Sequence, residues 1–88
     1  MQQVIYTLVL SVRDQPGVLV RIAHVFARRG CNIRSLYVRP DERHKDWPTM
    51  TITVKNVAHI GQIVRQLEKL IDVGRVDIHN ATNEIDAV

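Results

Sequence analysis

Apolar and polar residues alternate from Val4 to Val12. Val4, Tyr6, Leu8, Leu10 and Val12 share one face, and Ile5, Thr7, Val9 and Ser11 share the other. Alternation with β-branched residues predicts a strand, and large apolar residues on both faces place it centrally. Arg13-Asp14-Gln15-Pro16-Gly17 then breaks the pattern with turn formers. The period changes after it. Val18, Leu19, Ile22, Ala23, Val25 and Phe26 recur at helical spacing, with Arg21, His24 and Arg28 on other faces. Asp14 suits the N-cap and Pro16 the first turn. Arg28 and Arg29 suit the negative end of the helix dipole, and Gly30 suits its stop.

The second half repeats this order. Cys31 to Val38 carries Ile33, Leu36, Tyr37 and Val38 and predicts a second strand. Arg39 to Pro48 holds six charged side chains, two prolines and Trp47, which predicts a mobile loop. Thr49 to Lys55 alternates cleanly. Met50, Ile52 and Val54 oppose Thr49, Thr51, Thr53 and Lys55. Val57 to Ile71 aligns Ile60, Ile63, Val64, Leu67, Leu70 and Ile71 on one stripe of a second helix. Asp72 to His79 returns to strand character through Val73, Val76 and Ile78. Residues 81–88 lack a pattern and read as a fraying tail.

The order β-α-β-β-α-β is that of the ferredoxin-like, α+β plan. Right-handed crossovers put both helices on one face of a four-stranded antiparallel sheet. The first and third strands are then central, and the second and fourth are edges. Residues 1–80 form the expected domain and 81–88 its tail.

Composition narrows the uses. The 88 residues are 45% hydrophobic and 24% charged, so the chain is globular rather than disordered. No apolar run is long enough to span a membrane, and no signal peptide is evident. The lone Cys31 excludes a disulfide framework and a cysteine zinc site, so a cytoplasmic protein is expected. The net charge of +3 is mild and its basic residues are scattered, which argues against nucleic-acid binding.

This plan hosts many functions. An RNA-recognition module needs stacking aromatics on its central strands, and the third strand offers only threonines. A metal carrier needs paired thiols near the first helix. A hydrolase needs a nucleophile, a base and an anion clamp within mutual reach. Ser11, Ser35 and the histidines at 24, 44, 59 and 79 fall on separate elements. No catalytic, cofactor or metal constellation emerges.

Asp14-Gln15-Pro16-Gly17-Val18-Leu19, joining the first strand to the first helix, and Cys31-Asn32-Ile33 after Gly30 together resemble the ACT domain, an amino-acid-sensing module. Two longer segments, Phe26 to Leu36 and Gln66 to Val73, resemble the small regulatory subunit of acetohydroxyacid synthase, also called acetolactate synthase. The likeness covers roughly residues 4 to 80. It implies a non-catalytic subunit that binds the large catalytic subunit, activates it and transmits feedback inhibition. Thiamine diphosphate, flavin and magnesium belong, by the same resemblance, to the large subunit. It also implies a homodimer holding valine, isoleucine or leucine at its interface. Longer relatives carry a second C-terminal domain, so the chain resembles a short, single-domain form. Many relatives have Asn where this chain has Asp14.

The chemistry fits a free amino acid. N–H groups of Gly17, Val18 and Leu19 at a helix start can meet a carboxylate. Asp14 and Asn32 offer oxygens to an ammonium, and Leu19 and Ile33 can line an apolar pocket. Each residue also has a plainer reading. Asp14 suits an N-cap, Pro16-Gly17 a turn, and Asn32 a turn after the helix. The second strand, as an edge with few charges, can pair with its own copy. That pairing would bring Asn32 of one chain near Asp14 of the other. The loop 39–48 and the tail 81–88 are candidate contacts for the large subunit. A stand-alone ACT sensor of another enzyme and a ferredoxin-like nucleic-acid-binding protein are the alternatives.

Overall fold

The computed structural model describes residues 2–55 and 57–85. The elements follow the expected order: β1 (Gln2–Val12), α1 (Val18–Arg28), β2 (Ile33–Arg39), β3 (Thr49–Lys55), α2 (Ile60–Glu68) and β4 (Val73–Ile85). One antiparallel sheet runs β2-β3-β1-β4. This is the ferredoxin-like arrangement, with β1 and β3 inside and β2 and β4 at the edges.

One side of the sheet carries the core. Leu8, Leu10 and Val12 of β1 and Met50, Ile52 and Val54 of β3 pack against Val18, Ile22 and Phe26 of α1 and Ile63 and Leu67 of α2. Burying each such side chain contributes about 1.5–3 kcal/mol. Ile5 is also buried but stands outside this cluster. β3 keeps the expected alternation, with the side chains of Met50, Ile52 and Val54 buried and the intervening threonines half-buried.

The structure departs from the pattern in three places. The second helix is shorter than the Val57–Ile71 stripe. Val57 reaches the core from an irregular segment ahead of α2. Beyond Glu68 the chain tightens into turns, in which Lys69 and Leu70 donate to Gln66 and Leu67. Ile71 is left exposed. The last strand runs on to Ile85, because pairing with Gln2–Tyr6 of β1 extends it where apolar alternation has ended. A register shift opposite Thr7/Leu8 separates the two stretches. Of the expected tail, 81–85 therefore belong to β4, and 86–88 lie outside the described residues.

The third departure is the charged loop, which is anchored. The N–H of Trp47 donates to the His44 carbonyl at 2.9 Å, and the N–H of Arg43 to an Asp41 carboxylate oxygen at 2.9 Å. Val12 donates to the Pro48 carbonyl at 3.0 Å, and Pro48 is buried. Polar turn composition marked the loop but not these tertiary ties.

Candidate functional site

The β1–α1 loop is held from two sides. The N–H of Arg13 donates to the Asp72 carbonyl at 2.7 Å. The N–H of Asp14 donates to the Asp46 carbonyl at 3.0 Å. The Arg13 guanidinium stacks 5.2 Å from the centre of the Trp47 ring, a contact worth about 0.5–1 kcal/mol. Residues 14–17 are nonetheless exposed, so the loop is fixed in place yet open to a ligand.

The helix start has no side-chain cap, as is also true of α2. Gly17 is the N-cap residue, with φ 85°, and no side chain bonds to the first turn. Asp14 therefore does not cap α1, and Pro16 precedes the helix rather than opening it. A φ in the left-handed region explains glycine here, since an L side chain costs roughly 1–2 kcal/mol in that conformation. The N–H of Val18 reaches the Gln15 carbonyl only at 3.4 Å, and Arg21 donates to the Gly17 carbonyl at 3.1 Å. Among the described residues, the N–H groups of Leu19 and Val20 have no backbone acceptor. These donors sit at the positive end of the helix dipole.

Arg21 stands beside that end. Its guanidinium pairs with the carboxylate of Asp72, which is 6% exposed. A Cβ on Gly17 would stand 3.2 Å from an Arg21 guanidinium nitrogen. The pair joins positions 51 residues apart, so nothing local in the sequence marks it. The same holds for Trp47 and for the Asp46 carbonyl, whose neighbours are set by tertiary structure.

The other predicted residues divide. Val18 turns its side chain into the core, so only its backbone faces the loop. Leu19 is 49% exposed. Asn32 is exposed and Ile33 half-buried, and both lie at the far end of α1. The 11 residues of that helix span about 16 Å at 1.5 Å per residue. One chain thus keeps Asp14–Leu19 and Asn32–Ile33 apart. Gly30, with φ 66°, ends the helix as expected, with the Cys31 N–H on the Phe26 carbonyl. Cys31 packs half-buried against the core.

The free edge of β2 lies between these two groups. Arg39 pairs with Thr49, which pairs with Ser11 of β1, so that end of β2 adjoins the β1–α1 loop. Ile33 pairs with Val54, which pairs with Tyr6 of β1, at the opposite end. Along the strand Val38 is 54% exposed.

A match to the model of the AHAS small subunit-like ACT domain spans residues 8–75. The chain belongs to that family. This ACT domain is 42% identical over 81 residues to the acetolactate synthase small subunit of Mycolicibacterium smegmatis, covering 91% of this chain and 47% of the relative. It is 43% identical over 72 residues to the probable acetolactate synthase small subunit of Archaeoglobus fulgidus, covering 81% and 45%. Among solved structures, the acetolactate synthase small subunit of Thermotoga maritima superposes with a TM-score of 0.74 at 35% identity, covering 84% of this chain and 46% of that one. The ACT domain thus spans about half the length of these relatives. Among its described residues, no helix is long and apolar enough to cross a membrane, and no three His, Cys, Asp or Glu side chains group as metal ligands.

Proposed function

We propose that the chain is the effector-sensing ACT domain of an acetohydroxyacid synthase small subunit, and that it binds a branched-chain amino acid, valine first, between two copies of itself. The observation carrying this reading is the separation of the two motif segments by α1 together with the open edge of β2. An antiparallel pairing of β2 with its own copy, centred on Leu36, sets Ile33 of one chain opposite Arg39 of the other. Arg39 stands at the end of the sheet nearest Asp14. Asn32 of one protomer then meets Asp14–Leu19 of its partner.

In that composite site the ligand carboxylate faces the uncapped N–H groups of α1. The ammonium faces the Asp14 carboxylate and the partner's Asn32 oxygen, each a charge-assisted bond of about 1.5–3 kcal/mol. The branched side chain meets the exposed Leu19. Asp14 is a stronger acceptor for an ammonium than a neutral amide, and the amides of the helix start oppose its repulsion of the ligand carboxylate. The protein partner in this reading is the large catalytic subunit of the synthase. Preferential binding of the effector to one state of that complex shifts its population, and a coupling of about 1–3 kcal/mol gives useful inhibition.

Calorimetric titration with valine, isoleucine, leucine and lysine tests the sensor. Saturable heat with a branched-chain ligand and none with lysine is expected. Acetolactate formation by the catalytic subunit, with and without this chain and the ligand, tests the regulation. No effect of the chain on that activity would refute the assignment of partner.

A further inference from the structure

The two helices leave a groove along the outer side of their layer. Three cavities of about 270, 360 and 230 Å³ follow one another along it, and Arg28 borders all three. Arg29 and His59 flank the end near the C-terminus of α1, and Arg21, His24 and Lys69 flank the other. No carboxylate lines any of the three cavities. Arg21 is neutralised by Asp72. Arg29 donates to the uncharged Gln62 amide oxygen at 2.7 Å. Among the described residues Arg28 and Lys69 form no ion pair. Val25, Ile63 and Leu70 contribute apolar lining.

The charges of Arg28, Arg29 and Lys69, which have no internal counter-charge among the described residues, attract an external anion. The shape indicates which kind. The cations are strung along the helix rather than gathered around one point. The cations without an ion pair run from Arg29 at one end, past Arg28, to Lys69 at the other. An extended segment advancing about 3.3 Å per residue covers the length of α1 in about five residues. Acidic side chains on such a segment would meet the arginines while interspersed apolar ones reach Val25 and Leu70. We propose that the groove between α1 and α2 docks an acidic, apolar-interspersed segment of a protein partner. The groove lies between the two helices and not on the β2 edge, and the docking does not depend on amino-acid binding.

A fluorescein-labelled peptide alternating Glu and Leu serves as the probe, read by anisotropy. The Arg28→Glu/Arg29→Glu variant is compared with Arg43→Glu/Lys45→Glu, which makes the same change in net charge at exposed positions of the β2–β3 loop. Saturable binding to the wild type and the control, at least about tenfold weaker binding to the groove variant and a shallower salt dependence are expected. Circular dichroism checks folding, and Arg28→Gln/Arg29→Gln replaces the groove variant if charge reversal unfolds it. Absence of saturable binding to the wild type overturns the proposal. So does equal weakening in both variants, which would show attraction to net charge alone. Tripolyphosphate competing at the same concentration of charge as the peptide also overturns it, because the groove would then select a compact anion.

Discussion

Replacing Gly74 with alanine tests the packing that ties the charged loop to the sheet. A Cβ there would stand 2.7 Å from the Ser11 Oγ and 3.3 Å from Cζ3 of Trp47. The first distance lies inside the contact limit, so something must move. Ser11 is not free to rotate, because its Oγ accepts the Arg75 N–H at 2.8 Å, a bond worth about 1 kcal/mol net. Trp47 is held by Arg13 and by its own turn. Overpacking of this kind costs about 1–3 kcal/mol. In a domain of this size that lowers the melting temperature by roughly 5–20 °C. Urea unfolding followed by the fluorescence of Trp47, at fixed protein concentration, measures it. Ser11→Ala removes the nearest clashing atom. The double variant should therefore be more stable than the sum of the single effects by at least about 0.5 kcal/mol. A Gly74→Ala protein as stable as the wild type, or strict additivity with Ser11→Ala, would refute the argument.

Val38→Lys places a charge on the exposed β2 edge and should shift the proposed dimer towards monomer in sedimentation velocity without unfolding it; the same dimer in both proteins would remove β2 from the interface. Asn32→Ala should weaken valine binding at least about tenfold in calorimetry by deleting one ammonium acceptor, while Arg34→Ala should not. Gly17→Asp should abolish that binding and lower stability by about 1–2 kcal/mol through its left-handed φ; wild-type affinity in this variant would place the site elsewhere.

Much of the architecture was legible because its cause is local. β3 alternates without interruption and its bounds match the pattern. The apolar stripe of α1 and the left-handed Gly30 likewise locate that helix and its end. The α2 stripe misled at both ends because Val57 and Leu70 serve the same core from outside the helix. β4 was cut short because pairing with β1, not hydrophobicity, carries its last turns of pleat. Asp14–Leu19 was legible as a turn running into α1, yet the role of Asp14 as a cap was not realised, since Gly17 occupies that position. The partners that hold the loop were hidden. Asp72, Asp46 and Trp47 approach it only after the chain has crossed the sheet.

The span of α1 bears on how two damaged chains would behave together. With Asp14–Gly17 and Asn32 at opposite ends of an 11-residue helix, each proposed site draws its two halves from different protomers. A chain carrying Gly17→Asp and a chain carrying Asn32→Ala are each deficient as homodimers. Mixed, they assemble one site that collects both lesions and one that inherits neither. Two inactive alleles would thus restore one intact site in each mixed dimer, about a quarter of all sites after random 1:1 assembly, and dilution below the dissociation constant of the proposed dimer would erase ligand affinity along with assembly.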